Sequence, residues 1–373
     1  MRQTGFNIPL LAGVMRVLAA CLALLLGSAT SFAFPPPERM AVLRRGINIT
    51  GWFRYPSSRD PAALRAWLSD TAIAGLKGAG FTVVRLAVDP TILDAPTRLV
   101  FLDQVRRLQS HGLAVVVSPH PVSWQLDTNP AERERLVAFW HDLAPMLRGL
   151  PPALTFPEVL NEPVFHGDSA GWDRLQHNLL TTIRAALPSD TIILTGPDWG
   201  SIAGLLALTP AEDGNVVYSF HFYDPAELTS LAAYRPGLDR EALARLPFPA
   251  TDAAECQSVA GGTNDQATRD LIRFWCATGW NADRVRTRIQ DAAIWATKHG
   301  VALLAGEFGA NAAVNPAARL AWLRLVRETC EANAIGWSLW GYDDVMGFNL
   351  PRPPGSKPVL DRSLLRALGL SVL

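Results

Sequence analysis

Val301-Ala302-Leu303-Leu304-Ala305-Gly306-Glu307-Phe308-Gly309 is an apolar run of strand length that ends in a carboxylate and a glycine. A short apolar run stopped by Gly or Pro reads as a buried strand and its exit. Helical patterns flank it at 281–299 and 317–332. This is one strand–helix unit, and the same unit recurs along the chain. Strands are predicted at 46–49, 81–86, 113–117, 156–160, 191–195, 216–220, 301–305 and 336–339. Helices are predicted at 61–79, with Asp60 as N-cap, and at 91–110, 130–147 and 171–187, followed by a short one near 202–208. The helices at 281–299 and 317–332 and a short terminal one at 364–368 complete the series. Residues 224–279 read as a long irregular insertion after the sixth strand. Parallel sheets are covered on both faces, so their strands read as near-continuous apolar runs, as these do. Eight units favour a single-domain α/β fold of the closed (β/α)8 TIM-barrel type. An open doubly wound sheet would carry a Gly-rich phosphate loop after its first strand, and none is present.

The chain has 373 residues, with 34 basic and 34 acidic side chains. Such a balance, with no basic stripe, predicts no nucleic-acid partner. Residues 1–33 have the layout of a signal peptide: Arg2 and Arg16, an apolar run over 17–26, and Ser31-Phe32-Ala33 as a small-x-small cleavage pattern. The run is shorter than the ~20 residues a membrane span needs. The expectation is an exported protein, periplasmic or extracellular, with a catalytic domain over 34–373 and no stable membrane association once the leader is removed. Cys256 and Cys276 flank a Gly/Asn-rich segment, a plausible place for a disulfide in an exported chain, while Cys330 sits in a helical pattern as a buried thiol. No CxxC, HExxH or calcium-loop pattern occurs, so no metal or other cofactor is expected.

In a barrel of this kind the active site lies where the strands end. Arg85 lies in the second strand, and His120 follows the third. Asn161 and Glu162 end Pro157-Glu158-Val159-Leu160-Asn161-Glu162-Pro163 at the fourth, His221 and Tyr223 follow the sixth, Glu307 ends the seventh and Trp340 the eighth. Asn48 belongs to the first strand. Trp52, Trp124 and Trp199 fall in loops after strands one, three and five, where each is a candidate sugar platform or a packing residue. Asp343-Asp344 would touch a neighbouring sugar or sit as surface charge. Two carboxylates facing each other across the barrel mouth are what glycoside hydrolysis requires.

These segments resemble glycoside hydrolase family 5, the cellulase-like family. The resemblance is carried by Arg45-Gly46-Ile47-Asn48, Val84-Arg85-Leu86, Ser118-Pro119-His120, Leu160-Asn161-Glu162-Pro163, His221-Phe222-Tyr223, Gly306-Glu307-Phe308-Gly309 and Trp337-Ser338-Leu339-Trp340. It implies a retaining mechanism with Glu162 as acid/base and Glu307 as nucleophile. It further implies that Asn161 binds the sugar 2-hydroxyl and that Tyr223 and Arg85 tune the nucleophile. His120 and His221 would bind hydroxyls or orient the carboxylates, and Trp340 would stack under the sugar. The implied partner is a polysaccharide or oligosaccharide, foremost a β-linked glucan. A β-mannan, exo-acting β-1,3-glucanase activity and a non-catalytic carbohydrate-binding barrel are the alternatives. The run Arg45 through Phe53 leans toward exo-acting glucanases.

Overall fold

A computed structural model describes residues 34–372, so the signal-peptide reading of 1–33 lies outside the described residues. Eight parallel strands form one sheet: β1 (Arg45–Phe53), β2 (Val83–Val88), β3 (Ala114–Pro119), β4 (Thr155–Pro157), β5 (Ile192–Thr195), β6 (Val216–Phe222), β7 (Ala302–Phe308) and β8 (Gly336–Leu339). They run in the order β4-β3-β2-β1-β8-β7-β6-β5. A bridge from Glu158 to Ile193 joins the two ends and closes the barrel.

The strands are buried on both faces, and the pleat sorts their side chains. Val83, Ala114, Val116, Phe156, Ile193, Val217, Ala302 and Leu304 fill the lower barrel interior. Their sequence neighbours, among them Val84, Leu86, Val115, Val117 and Phe220, pack outward against the helices. A short helix, α1 (Pro37–Val42), lies under the barrel, where Met40, Val42 and the following Leu43 join the lower layer. Continuing up each strand from that layer, the inward positions become polar: Asn48, Arg85, Ser118, His120, Glu158, Ser219 and His221, all buried. One alternation thus places an apolar plug below and a charged floor above.

Three sequence expectations change. Residues 61–79 form two helices, α2 (Pro61–Ala66) and α3 (Asp70–Ala79), because Ser69 accepts from the Ala72 N–H and starts a new N-terminus. The insertion over 224–279 is largely helical, with α8 (Ala226–Thr229), α9 (Arg240–Leu243), α10 (Ala253–Gly261) and α11 (Gln266–Thr278), counting α4–α7 as Ala95–Ser110, Pro130–Leu147, Ser169–Ala186 and Ile202–Leu206. The Cys256–Cys276 disulfide staples α10 to α11, with Cα atoms 5.7 Å apart, and Cys330 is a buried free thiol. Finally, β1 continues past Ile49 to Phe53. Trp52 is therefore core, not a loop platform: it is fully buried, stacks on Trp67 at 5.3 Å, and donates its indole N–H to the Leu64 carbonyl.

Candidate active site

Strict alternation along β7 would turn Glu307 out of the barrel, because Ala302 and Leu304 face in. A bulge prevents this. Phe220 pairs with Ala305, yet the next residue of β6, His221, pairs with Glu307, so Gly306 is the extra residue. A Cβ at Gly306 would lie 2.3 Å from Ser219 Oγ, so only glycine fits the turn-in. On the opposite wall Asn161 donates its N–H to the Pro119 carbonyl, and Glu162 follows in left-handed backbone at φ +38°. That conformation is unusual for a non-glycine residue, and more so before a proline.

The two carboxylates meet at His221. Its Nδ1 lies 2.9 Å from Glu162 Oε1 and 3.4 Å from Glu307 Oε2. One oxygen of each glutamate and this nitrogen all fall within 4.8 Å of one another. Tyr223 donates its hydroxyl to Glu307 Oε2 at 2.9 Å. Beneath them lies Arg85, fully buried. Its Nη1 donates to Glu307 Oε1 at 2.6 Å and to Asn48 Oδ1 at 2.9 Å. Its Nε and Nη2 donate to the two oxygens of Glu158 at 2.6 and 3.0 Å, and Nη2 also reaches Asn161 Oδ1 at 2.8 Å.

Burial dominates the electrostatics. It pushes the Glu307 carboxyl above its ordinary pKa, while the neighbouring His221 and Arg85 charges and the Tyr223 hydroxyl pull toward the ionised form. Burial works against a charge on His221, but Glu307 and Glu162 outweigh it and raise the imidazole pKa. Burial also opposes the Arg85 charge, and Glu158 and Glu307 more than restore it. His120 goes the other way: burial, then the charges of Arg85 and Arg54, hold it well below the usual histidine value, so it stays neutral. Tyr223 is pushed up by burial and by both glutamates and keeps its proton to donate.

A cleft of about 490 Å³ opens over this floor, lined by His120, Trp124, Asn161, Glu162, His166 and Trp199 among others. His120 stacks on Trp340, with ring centroids 5.8 Å apart and planes at 18°, and neither of its ring nitrogens has a partner among the described residues. Trp199 is half exposed and meets His166 edge-on at 5.5 Å, while Arg135 sits 4.4 Å over the Trp124 ring. A larger groove of about 620 Å³, between residues 71–78 and 357–365, lies away from the paired carboxylates.

Most predicted site residues thus converge, with two further corrections besides Trp52. Asn48 is fully buried and spends its amide on the Gly306 and Leu339 carbonyls and Ser338 Oγ, so it positions the floor and does not touch a sugar. Arg85, likewise sealed below the cleft, holds Glu307 as expected of a group that tunes it, and also Asn161, and it reaches a substrate only through them. Asp343 is neither sugar ligand nor surface charge: it accepts from the Thr50 and Gly51 N–H groups and pairs with Arg352 at 2.7 Å, tying the loop after β8 to β1. Sequence reading missed Glu158 as a partner of Arg85, and it missed His166. A carboxylate inside an apolar strand run, with an arginine inside another run two strands away, was the available signal for Glu158.

The profile of the cellulase family, glycosyl hydrolase family 5, matches residues 46–343. The chain belongs to that family. Endoglucanase 3 of Fibrobacter succinogenes is 25% identical over 336 residues, covering 82% of this chain, which spans only 50% of that longer protein. Endoglucanase C of Acetivibrio thermocellus is 23% identical over 342 residues, covering 86% of this chain and 98% of its own. Among solved structures, endoglucanase Cel5A of Thermotoga maritima superposes with a TM-score of 0.71 at 23% identity, over 90% of this chain and 99% of that one. The cellulose synthase subunit Z of Clostridioides difficile gives 0.66 at 23% identity, over 87% and 99%. The family is one of glycoside hydrolases, and the barrel is its fold.

Two outcomes are expected. Gly306→Ala displaces Glu307 and lowers the glycoside-hydrolysing kcat on the order of a hundredfold, while the far-UV circular dichroism and the cooperative thermal transition persist; wild-type kcat would contradict the bulge's role. His221→Asn removes a positive neighbour that favours ionised Glu307. The acid limb of the kcat/KM profile should therefore move to higher pH, whereas His120→Asn, replacing a group that is neutral already, should lower kcat/KM without moving that limb.

Proposed function

We propose that this chain is an exported retaining glycoside hydrolase that cleaves a β-linked glucan by double displacement, with Glu162 as acid/base and Glu307 as nucleophile. The observation that carries this reading is the carboxylate spacing. Retaining enzymes hold their two carboxyl groups about 5–5.5 Å apart, whereas inverting ones leave about 6.5–9.5 Å for a water. Oxygens of Glu162 and Glu307 within 4.8 Å of each other fit the first case.

The surroundings divide the roles. Glu307 receives Arg85 and Tyr223 and lies at the bottom of the cleft, so its carboxylate is aimed and ionised for attack on the anomeric carbon. Glu162 is about a third exposed and has neither partner, which suits a group that must exchange protons with a departing oxygen and then with water. In the first step Glu307 forms a bond to the anomeric carbon while Glu162 gives its proton to the leaving oxygen. In the second, Glu162 takes a proton from water, which displaces Glu307. Arg85 occupies the Asn161 carbonyl oxygen, which turns the amide NH2 outward as donor to the sugar 2-hydroxyl. Trp340, backed by His120, offers a ring face to the sugar being cleaved, and Trp124 and Trp199 offer platforms further along the cleft.

A glucan is favoured because the curated relatives described above bear endoglucanase names. Cel5A of Thermotoga maritima has been solved with mannotriose as well as with cellobiose, so β-mannan belongs in the substrate panel. Export is supported by the leader pattern in residues 1–33 and by the Cys256–Cys276 disulfide, since such bonds persist in oxidising compartments. No helix among the described residues is long and apolar enough to cross a membrane.

The test is a reducing-sugar assay on β-1,4-glucan, β-1,3-glucan, mixed-linkage glucan and β-mannan, with leaving-group dependence measured on aryl glycosides. Glu307→Gln should abolish turnover. Glu162→Gln should spare the first step for good leaving groups and lose it for poor ones. Equal loss across all leaving groups, or activity surviving Glu307→Gln, would overturn the assignment.

A further inference from the structure

Arg54 stands one residue past the end of β1 and lines the same cleft as His120, Asn161 and Glu162. It is half-buried, and its Nε is sealed from solvent with no hydrogen-bond partner among the described residues. It forms no ion pair there either, and its only close ring is that of its neighbour Tyr55, 4.8 Å away. The other arginines around the cleft are committed. Arg85 is shared by Glu158 and Glu307, Arg133 holds the Leu126 and Asp127 carbonyls of the cleft wall, and Arg135 lies over Trp124. The acidic groups in the cleft are Glu162, engaged by His221, and Asp127, and neither pairs with Arg54. A partly desolvated guanidinium without a counter-charge is costly, and the usual resolution is an anionic partner meeting its planar fork of donors.

We propose that Arg54 is an anion-recognising residue of this cleft, taking the carboxylate of an acidic sugar in the bound chain, so that the enzyme prefers a uronate-bearing β-glucan over a neutral one. This rests on the reading of the cleft as a glucan site. A carboxylate offers two oxygens to the guanidinium and completes the missing acceptor at Nε. A neutral glucan offers only hydroxyls there.

The probes are cellotetraose and cellotetraose oxidised to the carboxylate at C6, with equilibrium binding measured by calorimetry in the Glu307→Gln protein so that nothing is cleaved. The acidic sugar should bind about tenfold more tightly than the neutral one at low salt, and the preference should shrink as salt rises. Arg54→Gln, made in the same background, should remove the preference, and Arg54→Lys should keep part of it, since the charge stays while the fork is lost. Thermal unfolding of both variants checks that they fold. Equal affinity for the two sugars, binding of neither, or a preference that survives Arg54→Gln would overturn the proposal. Turnover by the unmodified enzyme is read separately on both sugars: turnover of the neutral one with no acidic preference sinks this inference alone, and turnover of neither sinks the glucan-hydrolase reading.

Discussion

The buried guanidinium of Arg85 is the interaction on which the site is built. It sits inside the barrel on β2 and touches Asn48 from β1, Glu158 and Asn161 from the exit of β4, and Glu307 from β7. A charge taken wholly out of water is tolerable only when paired and fully hydrogen-bonded. Here two carboxylates and two amide oxygens satisfy it, and those four partners come from three other strands or strand exits. The requirement to satisfy one cation therefore fixes the relative placement of the groups proposed to do chemistry. The apolar layer below, from Val83 round to Leu304, holds the strands that carry them.

From that floor the two glutamates diverge in environment. Glu307 is aimed inward by the Gly306 bulge and held by Arg85 and Tyr223, deep in a place where burial alone would neutralise it. Glu162 stands in left-handed backbone at the rim, partly open to solvent, and meets Glu307 only through His221. One rigid, charge-supported carboxylate and one exposed, proton-exchanging carboxylate on a shared imidazole make an asymmetric pair. Asymmetry of that kind is what separates nucleophile from acid/base in the proposed reaction.

Much of this was legible in the sequence because parallel barrels write their strands as apolar runs and their sites at the strand exits. Glu162, Glu307, His221, Tyr223, His120 and Trp340 all stood at such exits, and the structure brings them together around one cleft. What escaped depended on distances the sequence does not encode. Trp52 read as a loop residue because β1 was ended at Ile49, whereas the strand carries on through a register shift to Phe53. Glu158 stood in plain view, yet its meaning depends on Arg85 lying two strands away across the barrel interior. The insertion looked irregular because its helices are short and broken by Gly and Pro, although the Cys256–Cys276 disulfide that ties two of them was expected from the sequence.

The central claim is that Glu307, held by Arg85 and Tyr223, attacks the anomeric carbon. The most direct measurement is mass spectrometry of the intact protein and its peptides after exposure to a 2-deoxy-2-fluoro-β-cellobioside with a good leaving group, which slows breakdown of a glycosyl-enzyme. The account predicts one added disaccharide, mapped to Glu307 and absent from Glu307→Gln. A label on any other residue, or no label from an enzyme that hydrolyses glucan with inversion, would contradict it.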